Sequence, residues 1–280
     1  IDRHFPEIKS SNNKALDLLN LLMEKQCNLV INWMRVGFIH GVMNTDNMTV
    51  SGQTIDYGPC AFMDHYNAKT VFSSIDKFGR YSYSNQPKIT KWNLARFAEC
   101  LIPLIDEDED SSIKKASEVI DNFEKIYEKK WLNMMRDKLG LFGEDKEDKK
   151  LINDLLNWME LNKIDYTNTF CYLMNVKTPE INCYKTNEFI HWINRWKKRL
   201  NLKENSSSKY LDLMRNSNPI VIPRNHKVEE ALNAANENNL ELLENLLIVL
   251  EKPYNNQDKI INFKSPAPLG NKEYQTFCGT

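Results

Sequence analysis

His40-Gly41-Val42-Met43-Asn44-Thr45-Asp46-Asn47-Met48-Thr49-Val50-Ser51-Gly52-Gln53-Thr54-Ile55-Asp56-Tyr57-Gly58 is the stretch that decides how this chain folds. It is rich in Asn, Asp, Thr and Gly, which favour turns and short strands, and it interrupts a sequence whose spacing is otherwise helical. Upstream, Leu18, Leu19, Leu22, Met23, Leu29, Val30, Trp33 and Met34 recur at helical intervals. They predict one long amphipathic helix, or two abutting ones, over 15–38, with Gly37 as the terminator. Downstream, helical spacing returns gradually after Pro59 and is clear at Trp92, Leu94, Ala95, Phe97, Ala98 and Leu101. Further helices are expected over 113–139, 150–161, 187–200 and 228–250, with 143–150 a charged surface connection. The acidic run from Asp106 to Asp110 suits a solvated loop entering a helix N-terminus, where carboxylates complement the dipole. Phe189, Trp192, Ile193 and Trp196 fall at i, i+3, i+4 and i+7, the pattern of a core stripe. From 253 onward the chain is expected to be extended, since Pro266 and Pro268 exclude regular helix.

Composition narrows the function classes. The 280 residues carry a net charge of −1, with 41% hydrophobic and 27% charged residues, which excludes a disordered chain. With no basic excess to neutralise phosphates, no nucleic-acid partner is expected, and no apolar run approaches the ~20 residues that span a bilayer. Nine glycines and ten prolines argue against a turn-rich β-sandwich. Cys27, Cys60, Cys100, Cys171, Cys183 and Cys278 include no CxxC pair and match no common zinc spacing, and they read as reduced, intracellular thiols. The sequence opens at Ile1 without an initiator Met and is expected to be part of a longer protein.

Within the opening stretch, 48–50 and 53–55 read as two short strands joined at Ser51-Gly52. That register pairs Val50 with Gln53, Thr49 with Thr54 and Met48 with Ile55, and it sets Asn47 opposite Asp56. Opposed residues in a hairpin have Cβ atoms about 4.5–5.5 Å apart. An amide oxygen and a carboxylate would then meet at the open end, both of the hard type that Mg²⁺ accepts alongside water and phosphate oxygens. The same residues also suit an Asx-rich turn in which Asn44, Asp46 and Asn47 cap backbone groups. Protein kinases hold their metal ions with an Asn that follows a His by seven residues and with the Asp of Asp-Phe-Gly. Here His40 and Asn47 have that separation, and Asp56-Tyr57-Gly58 stands where Asp-Phe-Gly would. The kinase base position falls on Val42, and Asp46 is the nearby carboxylate that could replace it.

Several longer runs carry a more specific resemblance. His40 through Met48, Thr54 through Phe62, Gly79 through Pro87 and Trp92 through Arg96 are similar to the signature of the SelO (YdiU) family of pseudokinases. So are Met135 through Leu141, Asp165 through Phe170, Ile222 through His226 and the ending Phe277-Cys278-Gly279-Thr280. The resemblance implies a mainly α fold: the C-terminal lobe of a protein-kinase-like fold, a small active-site β-hairpin and a helical C-terminal extension. It divides the chain into a kinase-like core with the catalytic and metal loop over 1–110, and a helical extension with an extended tail over 111–280. No glycine-rich phosphate loop and no strand-borne Lys with a helix Glu partner is found; in the family these lie in an N-terminal nucleotide-binding lobe that this chain lacks.

The activity implied is metal-dependent protein AMPylation, in which ATP is bound in inverted orientation and AMP passes to Ser, Thr or Tyr hydroxyls of target proteins. Carried over by position, Asp46 is the general base, Asn47 and Asp56 are ligands of Mg²⁺ or Mn²⁺, and Asp56 contacts the nucleotide through the metal. The alternatives are an ordinary phosphotransferase and an inactive fragment or binding module. ATP and hydroxyl-bearing proteins are the implied partners, with no membrane involved, and a bacterial cytoplasm or a mitochondrial matrix is the implied compartment. Four more residues have stated expectations. His40 is expected to hold backbone, His226 to cap a helix, and Arg224 either to serve structure or to reach a phosphate. Cys60 and Cys278 are candidates for a thiol switch.

Overall fold

The computed structural model describes residues 1–178, 182–200, 207–255, 260–268 and 274–277. The long helix expected upstream is a single one, α1 (Lys14–Val36). Asn13 caps it by accepting from the Leu16 amide, and Gly37 ends it in the left-handed region at φ 75°, where a Cβ would be strained. Leu19, Leu22, Met23, Cys27, Val30 and Met34 form its buried face. Strand β1 (Phe38–Ile39) follows at once and pairs antiparallel with β2 (Ala61–Phe62), Phe38 opposite Phe62 and Ile39 opposite Ala61. Residues 40–60 therefore leave and re-enter the fold through one short ladder.

The expected hairpin of 48–50 against 53–55 does not form, because side chains occupy the backbone groups a ladder would need. The Thr49 hydroxyl accepts from the Gln53 amide at 3.2 Å and donates to the Gln53 carbonyl at 2.8 Å. The Thr49 carbonyl accepts from the Gln26 side chain of α1, and Trp33 Nε1 donates to Thr54 Oγ1 at 2.9 Å. The segment is thus a compact turn fastened to α1, with Thr49 rather than Val50 facing Gln53.

The rest is helical: α2 (Gln86–Ile105), α3 (Glu109–Asp121), α4 (Phe123–Lys138), α5 (Asp148–Asn162), α6 (Tyr166–Leu173), α7 (Asn187–Leu200), α8 (Ser207–Ser217), α9 (Asn225–Asn236), α10 (Glu241–Leu250) and α11 (Ile261–Lys264). The pattern over 113–139 divides at Asn122, where one helix ends and the next begins without losing the phase of the apolar stripe. The pattern over 228–250 also divides, at the left-handed Asn238 (φ 62°). Helix α11 interrupts the expected extended tail before Pro266. The acidic run behaves as expected: the Asp108 side chain accepts from the Ser111 amide and caps α3.

One hydrophobic cluster runs from Phe5 to Ile260, with α1 packed against α2, α3 and α4. Phe189, Trp192 and Trp196 are buried as the stripe predicts, with Ile193 partly buried beside them, and the indole N–H groups of Trp192 and Trp196 donate to the carbonyls of Leu151 and Leu139. The C-terminal half closes on the first through ion pairs. Arg224, 1% exposed, donates Nη1 to Asp64 and to Asp165, both at 2.6 Å, and Nη2 to the Lys264 carbonyl at 2.8 Å. It serves structure and is not available to a phosphate. His226 lies inside the first turn of α9 with Nδ1 unpartnered, so it does not cap that helix.

Removing one member of a buried charge cluster strands the others, which costs about 3–5 kcal/mol. Arg224→Met should lower the urea-unfolding free energy by about that amount, and a loss below about 1 kcal/mol would show that Asp64 and Asp165 are not carried by this guanidinium.

Candidate active site

The loop between β1 and β2 is organised around His40. The ring is fully buried, with centroids 5.3 Å from Trp33 and 6.3 Å from Phe38. Its Nε2 lies 2.8 Å from the Ile55 carbonyl, and the Val42 amide points at Nδ1 from 3.4 Å. A carbonyl needs a donor and an amide needs an acceptor, so one neutral imidazole with its proton on Nε2 satisfies both. Burial pushes the His40 pKa below its ordinary value, which keeps that form. The expectation that His40 holds backbone is met.

His40 thereby fixes both arms of the loop. On one arm the Val42 carbonyl accepts from Asn47 Nδ2 at 2.9 Å. That bond orients the amide and turns Oδ1 away from Val42, and among the described residues nothing donates to Oδ1. On the other arm Asp56 follows the anchored Ile55 and adopts φ 54°, a left-handed conformation that a non-glycine residue takes mainly in turns or at strained functional positions. Gly41 lets the arms close: at φ 84° its missing Cβ would lie 2.7 Å from the Pro59 carbonyl oxygen.

Asp46 sits exposed in the 3₁₀ turn Thr45–Asn47, and Asp56 is exposed as well. Among the described residues neither carboxylate forms an ion pair or accepts a hydrogen bond. Of the capping roles considered for this turn only that of Asn47 is adopted, its Nδ2 satisfying the Val42 backbone carbonyl, whereas Asn44 Oδ1 accepts from the Tyr81 hydroxyl at 2.6 Å. Asn47 and Asp56 lie on one loop anchored at both ends by one imidazole, not across a ladder. Among the described residues no group of three or more His, Cys, Asp or Glu is placed to hold a metal. An amide oxygen and a carboxylate are nevertheless the hard donor types that a divalent cation accepts beside water and phosphate oxygens.

Three supports were not evident in the sequence. Gln86 accepts from the His40 amide at 3.0 Å and donates to the Phe38 carbonyl at 3.0 Å. Asn93 donates to the Met43 carbonyl at 2.9 Å, and Gln26 to the Thr49 carbonyl. The available signal was a polar residue on an apolar stripe, as Gln26 is beside Met23, Cys27 and Val30. The Cys60 thiol donates to the Tyr57 carbonyl at 3.4 Å, and burial pushes its pKa up, the reverse of a reactive thiolate. Cys278, the other half of the suggested switch, lies outside the described residues.

Because the folded His40 pKa is below the unfolded 6.5, the unfolded chain takes the proton more readily. The His40 contribution to stability is complete above that value and lost as pH falls below it. The melting temperature of the wild type should therefore fall more steeply than that of His40→Gln between about pH 7.5 and about pH 5.5, and equal slopes would contradict a buried neutral imidazole.

Comparison with known proteins completes the picture. Residues 1–251 match the family model described as protein adenylyltransferase SelO. The protein nucleotidyltransferase YdiU of Pelagibacter ubique (strain HTCC1062) is 63% identical over 282 residues, covering 100% of this chain and 58% of that protein. The YdiU proteins of Nitrosococcus oceani and Alcanivorax borkumensis are 52% and 50% identical, covering 100% of this chain and 57% and 58% of their own lengths. The chain thus spans 57–58% of the length of these bacterial relatives. Among the described residues no helix is long and apolar enough to cross a membrane. A family model over residues 1–251 and such identity across the whole chain lead to one conclusion: the chain belongs to the SelO family.

Proposed function

We propose that this chain is the kinase-like C-terminal lobe and helical extension of a protein adenylyltransferase, which moves AMP from ATP to Ser, Thr or Tyr hydroxyls of bacterial cytoplasmic proteins. The observation that carries this is the Asn47 amide, held by Val42 so that its oxygen is free, on the same His40-anchored loop as the unpaired Asp56 carboxylate. Family membership supports the transferase class. The kinase-like lobe is supported by the order of parts: a long helix, a short ladder, a metal-type loop between its strands, then packed helices.

In the proposed reaction the target hydroxyl attacks the α-phosphorus of ATP. A new oxygen–phosphorus bond forms as the bond to the bridging pyrophosphate oxygen breaks, and pyrophosphate leaves. Asp46, exposed and without a protein partner, takes the hydroxyl proton. Asn47 Oδ1 and the Asp56 carboxylate would hold Mg²⁺ or Mn²⁺, and through it Asp56 would place the nucleotide. When bound, the ion neutralises charge on the phosphates. What remains for the protein is largely positioning, which the His40 anchor supplies. Val42, at the kinase base position, is apolar and 7% exposed, which favours AMP transfer over phosphotransfer.

The test uses this chain within a protein of its relatives' full length, given ATP labelled at either the α- or the γ-phosphorus. Label from the α position should appear on protein and fall by at least about 100-fold in Asp46→Ala and in Asp56→Ala. Label from the γ position would replace this reading with a phosphotransferase, and neither label would replace it with a binding module. The 280-residue chain alone should bind ATP with Mg²⁺ only feebly, and micromolar affinity by calorimetry would show that the phosphate cradle lies within these residues.

A further inference from the structure

Away from the loop, a cavity of about 430 Å³ opens between α1, α2, α4, α5 and α6. This is within the range of small-molecule sites, roughly 300–1,000 Å³. Its walls are aromatic, formed by Tyr66, Tyr83, Tyr127, Tyr166, Phe123 and Trp131. The rings are fixed by one another: Tyr66 stacks on Tyr166 at 5.8 Å and Phe123 on Tyr127 at 6.2 Å.

The four phenols divide into two pairs. Tyr83 and Tyr166 spend their hydroxyls on the Met34 carbonyl, at 2.6 and 3.2 Å. Tyr66 and Tyr127 have no hydrogen-bond partner among the described residues, although Tyr66 is only 8% exposed. Burial pushes the Tyr66 pKa up to about 12, so its phenol remains a donor at neutral pH. Both residues line the cavity, so an occupant that brings an acceptor would supply the missing partner.

The open side has a different chemistry. Lys88, Lys91 and Glu124 line it, and Lys91 is matched by Glu124 at 2.9 Å. Lys88 is exposed and forms no ion pair among the described residues, which leaves one surplus positive charge.

We propose that this cavity is a binding site for a small aromatic heterocyclic carboxylate: flat, with one ring acceptor and one negative charge. Ring faces stack on a flat body and do so poorly on an alkyl chain. The unpartnered phenols donate to the ring acceptor, and Lys88 pairs with the carboxylate. The site is separate from the adenylyl-transfer loop and does not depend on that activity.

Three probes test it on the 280-residue chain carrying ¹³C-methyl methionine. They are quinoline-6-carboxylate, naphthalene-2-carboxylate, which lacks the acceptor, and quinoline-6-carboxamide, which lacks the charge. Saturable shifts are expected at Met34 and Met135, the two methionines of the wall. Quinoline-6-carboxylate should bind about three- to tenfold more tightly than either control. Lys88→Gln, a surface change, should abolish the preference for acid over amide, and Tyr127→Phe, which keeps the ring, should narrow the gap between quinoline and naphthalene. Absence of saturable shifts at Met34 and Met135 with all three probes would overturn the proposal, as would equal binding of the three or an acid preference that survives Lys88→Gln.

Discussion

One uncharged imidazole holds the candidate site in shape. His40 gives its only proton to the Ile55 carbonyl and turns its bare nitrogen towards the Val42 amide, tying the outgoing and returning arms of a loop that has no ladder of its own. Val42 in turn orients Asn47, and Ile55 precedes Asp56. The chemistry offered to solvent therefore depends on a ring that solvent does not reach. Trp33, Phe38 and Gln86 keep it buried and fix its position, so α1, β1 and the start of α2 act as the foundation of the loop.

The C-terminal half contributes to that foundation. Arg224 draws Asp64, just beyond β2, against Asp165 at the start of α6, and Asn225 donates to the Phe62 carbonyl at 3.1 Å. The Thr276 hydroxyl donates to the Pro59 carbonyl at 2.6 Å, the same oxygen against which Gly41 closes. Residues that read as an extension thus brace the returning arm of the loop. The division of labour is physical: the loop over 40–60 carries the candidate groups, and the later helices supply buried charge and packing that brace it.

Much of this was legible in the sequence where one residue type does one job. The apolar intervals of α1, its stop at Gly37 and the aromatic stripe of α7 follow from periodicity and backbone sterics alone. The spacing of Asn47 and Asp56 to His40 singled them out as candidates, and the structure places both on the loop that His40 anchors. What could not be read depends on partners distant in the chain. Alternation around Ser51-Gly52 imitates two strands, but the Thr49 hydroxyl and the Gln26 amide take the backbone groups first. Arg224 has the chemistry to bind phosphate, yet its partners lie 160 and 59 residues away and only the fold brings them together. The break at Asn122 escapes a periodicity argument because it leaves apolar residues on the expected face, whereas the one at Asn238 leaves Leu240, Leu242, Leu247 and Ile248 exposed.

Whether the His40-anchored loop grips a divalent cation through Asn47 and Asp56 is most directly tested by paramagnetic relaxation. Mn²⁺ titrated into the isotope-labelled chain should broaden the Asn47 side-chain amide and the Asp56 backbone amide first, and Asp56→Ala should remove that broadening. Broadening confined to the acidic run from Asp106 to Asp110, with Asn47 and Asp56 unaffected, would contradict it.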